Sequence, residues 1–241
     1  MAAFGYMQGA SCWPFLLVVC SSSACAVSYV IAVLRGDVEA IWPFISDTGT
    51  TPPESCIFGL MTSITAMAGV ATMYARYKFI ERLIERTGGA RPMLNKIALG
   101  FGLLSCLGMN IVATFQETVE TYVHDAGALL FFVTGVVYIV LQTWISWQAF
   151  PYGSTRAVCR TRSLISCVAV LALFPTVICA ILVGKSDDIR WKGDEKNYGF
   201  HLASAVCEWT VAFSFIFYFF TYIREFTLFT MTVKAELVEQ N

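Results

Sequence analysis

Charge is scarce in this 241-residue chain: Asp, Glu, Lys and Arg together make up 14% of it, against about a quarter in a soluble domain. Sixteen bases and 17 acids are thin cover for the surface of a soluble fold of this size. Histidine is nearly absent, with two in the whole chain. No basic excess exists, the formal charge being −1, which excludes the electrostatic footprint of a nucleic-acid binder. No Walker loop, glycine-rich dinucleotide turn, HExxH or GxSxG occurs, so the common catalytic frameworks are missing. There is no Asn-x-Ser/Thr sequon. The nine cysteines lie mostly within or beside apolar runs rather than paired in loops, which argues against an extracellular disulfide framework.

Apolar residues are abundant instead. They form 57% of the chain, and mean hydropathy is +0.65. A bilayer core about 30 Å thick is crossed by about 20 helical residues. Six runs meet that length: Trp13–Leu34, Cys56–Tyr74, Ile97–Phe115, Ala126–Trp147, Ser163–Val183 and Leu202–Tyr222. Helix is forced, because backbone donors and acceptors in lipid must pair within the segment. The expected fold is an all-α, polytopic six-transmembrane-helix bundle forming one domain over 1–241, with a short tail over 223–241. The first run is not read as a signal peptide, since no Lys or Arg precedes Trp13 and the run is too long for an h-region.

The positive-inside rule orients the chain. Eleven Lys and Arg fall in the loops Ala75–Lys96 and Gln148–Arg162 and in the tail, and five fall on the other side. Both termini are therefore expected in the cytosol. Cys12 and Cys159 would then lie near the cytosolic interface, within reach of palmitoylation, with unmodified small residues as the favoured reading.

Glu208 is the one charged residue well inside an expected span. His201 precedes it by seven residues, at nearly the same angle around the helix. Ser204, Ala205 and Ala212 share that stripe, and small residues admit a neighbouring helix. His124 and Asp125 open the fourth run on the same side of the membrane, and Asp47 and Glu54 flank the Pro52-Pro53 turn there. These six residues, Asp47, Glu54, His124, Asp125, His201 and Glu208, define a candidate polar vestibule. It is either a site for a lipid head group, an ion or protons, or a hydrogen-bonded plug that fixes helix register. Asn110 and Gln142 read as interhelical glue, and Pro175 as a kink in the fifth helix. The His and acid spacing is too loose for a metal centre, so no catalytic, cofactor or metal residue is assigned. Tyr77-Lys78-Phe79-Ile80 fits a tyrosine-based sorting signal, with Tyr77 and Ile80 as its anchors; an ordinary interfacial tyrosine is the competing reading.

At these same residues the chain resembles the DNA damage-regulated autophagy modulator (DRAM) family. The likeness is carried by Ile45-Ser46-Asp47-Thr48-Gly49-Thr50-Thr51-Pro52-Pro53-Glu54-Ser55, by Val123-His124-Asp125, by Cys207-Glu208-Trp209-Thr210-Val211-Ala212-Phe213, and by Ala71-Thr72-Met73-Tyr74 with Arg76-Tyr77-Lys78. It spans nearly all six runs and looks closest to the founding, lysosomal member. Cys56, Asn110 and Ala126 depart from the pattern, where glycine is expected. The resemblance implies a multi-pass lysosomal membrane protein, induced by stress, that promotes autophagy and can favour cell death. It implies no catalytic residues. Distant relatives act in GPI-anchor remodelling and plasma-membrane lipid organisation, which raises the lipid reading of the vestibule. The expected function is therefore non-enzymatic modulation of autophagy, by adaptor or lipid-linked regulation. The alternatives are a lipid-binding, lipid-organising or proton-responsive protein and, behind these, an intramembrane hydrolase or carrier. Expected partners are membrane lipids and proteins of the autophagy or lysosomal machinery, and not nucleic acid.

Overall fold

The computed structural model describes residues 9–183, 189–191, 196–228 and 230–231. Six helices account for almost all of them: α1 (Cys12–Arg35), α2 (Glu54–Thr87), α3 (Pro92–Thr114), α4 (Thr121–Gln148), α5 (Arg156–Val183) and α6 (Tyr198–Phe226). All six are long and apolar enough to cross a membrane, and no strand occurs among the described residues. Each helix packs on the next in the chain, and α1 also packs on α6, so the six close into a ring. An even number of crossings leaves the start of α1 and the end of α6 at one end of the bundle. That end is called the termini face here. The loops α1–α2 and α3–α4 and the described residues between α5 and α6 lie at the opposite face.

Helix ends follow local chemistry. Gly36 and Gly88 adopt left-handed conformations, φ 75° and 66°, and close α1 and α2 by returning amide hydrogens to the last turn. Pro92 starts α3, where a missing N–H costs nothing. Two small residues make α3 and α4 close neighbours: a Cβ on Gly108 would stand 2.5 Å from the Phe131 nitrogen and 2.7 Å from the Gly127 oxygen. Outward positions carry Leu34, Met67, Leu164, Leu171 and Ile181, all exposed, as a lipid-facing surface requires.

The helices run past the apolar stretches that the sequence marks. α2 continues through Ala75–Thr87, α3 starts five residues earlier than Ile97, and α5 starts at Arg156. Hydropathy ends a span at its first charges, but the backbone keeps pairing through amphipathic turns beyond them. Arg76, Arg162 and Arg224 therefore sit on helices, not in loops or a tail. One further expectation changes, and one open reading closes. Asn110 faces outward rather than binding a neighbouring helix. Cys159 is fully buried, with its thiol against the Ser146 carbonyl at 3.5 Å, which leaves no access for acylation.

Candidate functional site

Two polar centres stand at the two ends of the ring. At the opposite face, the α1–α2 loop folds down onto α6. The Ile45 N–H donates to Glu208 Oε2 at 3.1 Å. One residue along the helix, the Trp209 indole N–H donates to the Pro43 carbonyl at 2.9 Å. The Tyr29 hydroxyl donates to the Ala40 carbonyl at 2.8 Å, and Ser28 meets Thr48 at 3.1 Å. The loop is thus pinned from both α1 and α6. Glu208 anchors the loop through Oε2, while its second oxygen, Oε1, receives no hydrogen bond among the described residues.

Asp47 is buried in this loop. Its carboxyl and that of Glu117, from the α3–α4 loop, lie within hydrogen-bonding reach of each other. Asp47 Oδ2 and Glu117 Oε2 find no donor among the described residues. Burial, then the charges of Glu117 and Glu208, push the Asp47 carboxyl well above the usual carboxylate range. Two facing acids without a donor are satisfied when they share a proton. His124 borders the pair. Its Nδ1 contacts the Phe115 carbonyl at 2.7 Å. Since a carbonyl only accepts, Nδ1 carries the hydrogen, and Nε2 faces Glu117 Oε2 at 3.8 Å.

The expected vestibule is only partly assembled. Asp47, His124 and Glu208 come together, with Glu117 as a member that the sequence did not single out. Glu54 is buried elsewhere, 3.7 Å from Arg35 Nε, which also binds Asp37 at 3.0 Å. His201 stacks on Trp191 (4.6 Å between centroids) and meets Phe44 edge-on (4.8 Å). Asp125 is exposed. Adjacent helical residues point about 100° apart, so with His124 inward Asp125 points away. The small residues near Glu208 do admit a neighbour: Ser204 donates to the Thr176 carbonyl of α5 at 2.7 Å.

The termini face holds a centre that the sequence analysis missed. Arg76 of α2 and Arg162 of α5 are both fully buried, and both donate to Glu225 Oε2 of α6, at 2.8 and 2.9 Å. Ser154 donates to the other oxygen at 2.5 Å. Ser146 of α4 accepts from both guanidiniums, at 3.2 and 2.9 Å. Gln142 accepts from Arg76 Nε at 3.2 Å, so it does join helices as expected. The surplus positive charge rests against aromatic faces. Both guanidiniums lie over the Tyr222 ring, at 5.0 and 4.6 Å from its centroid. The node ties together α2, α4, α5 and α6. Its signal in the sequence is periodic: Arg76, Ile80 and Ile84 recur at four, as do Arg162 and Ser166 before Ala169.

Tyr77 and Ile80 belong to the helical part of α2 rather than to an extended segment. The Tyr77 hydroxyl donates to Glu81 at 2.9 Å. Ile80 is fully buried and packs with Ala98, Ile145 and Ala149, which withholds it from an adaptor in this conformation.

Between the two centres runs an apolar cavity of ≈ 110 Å³. Its walls come from α1, α2, α3, α4 and α6, and α5 lends no lining residue. Ser46, His124 and Glu208 mark one end, and Met73, Tyr138 and Phe219 the other.

A family model described as "Frag1/DRAM/Sfk1/Cwh43P N-terminal domain" matches residues 9–229. The chain belongs to this family. It is 47% identical over 232 residues to DNA damage-regulated autophagy modulator protein 1 of Homo sapiens, covering 96% of this chain and 97% of that protein. It is 37% identical over 239 residues to DNA damage-regulated autophagy modulator protein 2 of Mus musculus, covering 96% and 89%. It is 32% identical over 202 residues to "Modulator of macroautophagy TMEM150B" of Xenopus tropicalis, covering 83% and 78%. These relatives bear the names of modulators rather than of enzymes. No solved structure matches the chain.

Proposed function

We propose that this chain is a non-enzymatic, lysosomal membrane modulator of autophagy, acting as a regulator through a basic surface on its cytosolic face. The names of its relatives support the process. The bias of Lys and Arg toward the termini face supports a cytosolic placement of that face. The observation that carries the reading is the sorting of those cations. Arg76 and Arg162 are consumed inside the bundle by Glu225. Arg82, Arg86, Arg91, Lys96, Arg156 and Arg160 stay exposed on the same end. That exposed set suits anionic head groups of the cytosolic leaflet or an acidic partner surface. Replacing Arg82, Arg86, Arg156 and Arg160 together with Gln tests it. Autophagic flux in cells lacking the endogenous protein should then fail to recover, with lysosomal residence and thermal stability kept. Full recovery of flux refutes the basic-face role.

A second reading is favoured by the acids at the opposite face. Asp47, Glu117 and Glu208 would face an acidic lumen, where a shared proton suits them. On this reading the mouth senses protons or lipid, and Glu208→Gln alters the response of flux to lumenal alkalinisation. An unchanged response removes it.

A further inference from the structure

The apolar cavity is capped by a carboxyl group with one oxygen that takes no hydrogen bond among the described residues. Glu208 is 7% exposed, lines the cavity, and spends only Oε2 on the Ile45 amide. Among the described residues, the groups packed around it are Cys25 of α1, Asp47 of the α1–α2 loop, Glu117 of the α3–α4 loop and His124 of α4. None of these is a lysine or arginine. The cavity extends along α6 from Glu208 to Phe219, which is about 16 Å at 1.5 Å per residue. That is about half of a 30 Å hydrocarbon core, the depth that one lipid tail occupies in one leaflet. The centre of a water-sized sphere has ≈ 110 Å³ open to it over that depth, about 7 Å² in section, and adding the sphere's own radius of about 1.4 Å gives a bore about 6 Å wide, enough for one alkyl chain and not two. Its lining is almost wholly apolar beneath the mouth.

We propose that this slot binds a single-chain lipid amine, with the hydrocarbon tail among α1, α2, α3, α4 and α6 and the ammonium group on Glu208. The carboxyl supplies the charge partner and hydrogen-bond acceptor that a primary ammonium requires. A fatty acid of equal length brings no cation to that carboxyl and forms no charge pair there. A two-chain phospholipid is too wide. The inference goes beyond the basic-face reading and does not depend on it: amine binding is measured on purified protein, the basic face in cells.

The test is photolabelling of the purified full-length chain in nanodiscs with a long-chain primary amine carrying a diazirine in its tail. Labelling should saturate, map to peptides of α1, α2, α3, α4 and α6 and not of α5, and be competed by unlabelled long-chain amine but not by the matching fatty acid. Ala212→Leu narrows the slot and should cut labelling at least tenfold. Glu208→Gln keeps an acceptor for the Ile45 amide, so the loop stays pinned, yet it removes the charge and should also cut labelling about tenfold. Equal competition by the fatty acid, or full labelling of either folded variant, overturns the proposal. Folding of each variant is read from its elution profile and thermal transition, and Ala212→Leu provides an independent arm if Glu208→Gln is unstable.

Discussion

Replacing Glu225 with Gln should be among the most damaging isosteric changes available in this chain. Both Arg76 and Arg162 direct a guanidinium nitrogen to Glu225 Oε2, at 2.8 and 2.9 Å, and both are fully buried. With Gln at 225 two cations remain in the bundle with only neutral acceptors and aromatic faces. Breaking a buried ion pair by removing one partner costs about 3–5 kcal/mol. For a chain of this size 1 kcal/mol moves the transition by about 2–4 °C, so the loss is on the order of 10 °C. Arg76→Gln leaves Arg162 paired with Glu225 and should cost less, about 1.5–3 kcal/mol for its charge-assisted hydrogen bonds. Because the residues share one node, Arg76→Gln combined with Glu225→Gln should cost less than the sum of the two singles. Thermal unfolding of purified variants in one detergent, followed by tryptophan fluorescence, reads all three. A transition for Glu225→Gln within about 2 °C of the parent, or one higher than that of Arg76→Gln, would refute the assignment of Glu225 as the shared counter-charge.

Other outcomes follow from the geometry. The raised affinity of Asp47 for its proton means that the folded state binds more protons than the unfolded one above about pH 4, where a free Asp ionises. Stability should therefore be greatest in acid and fall as pH rises toward neutrality, and Asp47→Asn should flatten that slope; a parent protein equally stable at pH 5 and 7.5 contradicts the shared proton. Gly108→Ala should lower the yield of folded protein, because its Cβ meets backbone atoms of α4 at 2.5 and 2.7 Å; unchanged yield and melting would deny the close α3–α4 approach. Ile80→Ala should destabilise by about 2–5 kcal/mol as a core truncation, while Tyr77→Phe should leave residence in the organelle unchanged. Mislocalisation by Tyr77→Phe at full stability would restore the sorting reading.

The spans were legible because lipid demands long apolar helices, and nothing in the structure contradicts their number. Their ends were not. A hydropathy window stops at Arg76, although the helix there has turned its guanidinium inward to meet Glu225 from a helix 149 residues away in sequence. Loop counting treats every arginine alike, so the buried pair and the exposed set looked identical. Glu208 was legible as an inward residue, since a charge amid a small-residue stripe has no other tolerable place. Its neighbours were not: Glu117 reaches Asp47 only because two loops cross the mouth, and no spacing along the chain encodes that. His201 shared the right stripe with Glu208, but its ring went to Trp191 and Phe44, partners set by loop packing.

The account turns on which compartment each face meets. A tag fused after Asn241 and protease added to sealed vesicles from cells expressing the chain decide it. The tag should be digested along with cytosolic markers while lumenal markers survive. A tag that stays protected until detergent is added would place the acids in the cytosol and the exposed arginines in the lumen, contradicting both proposed roles.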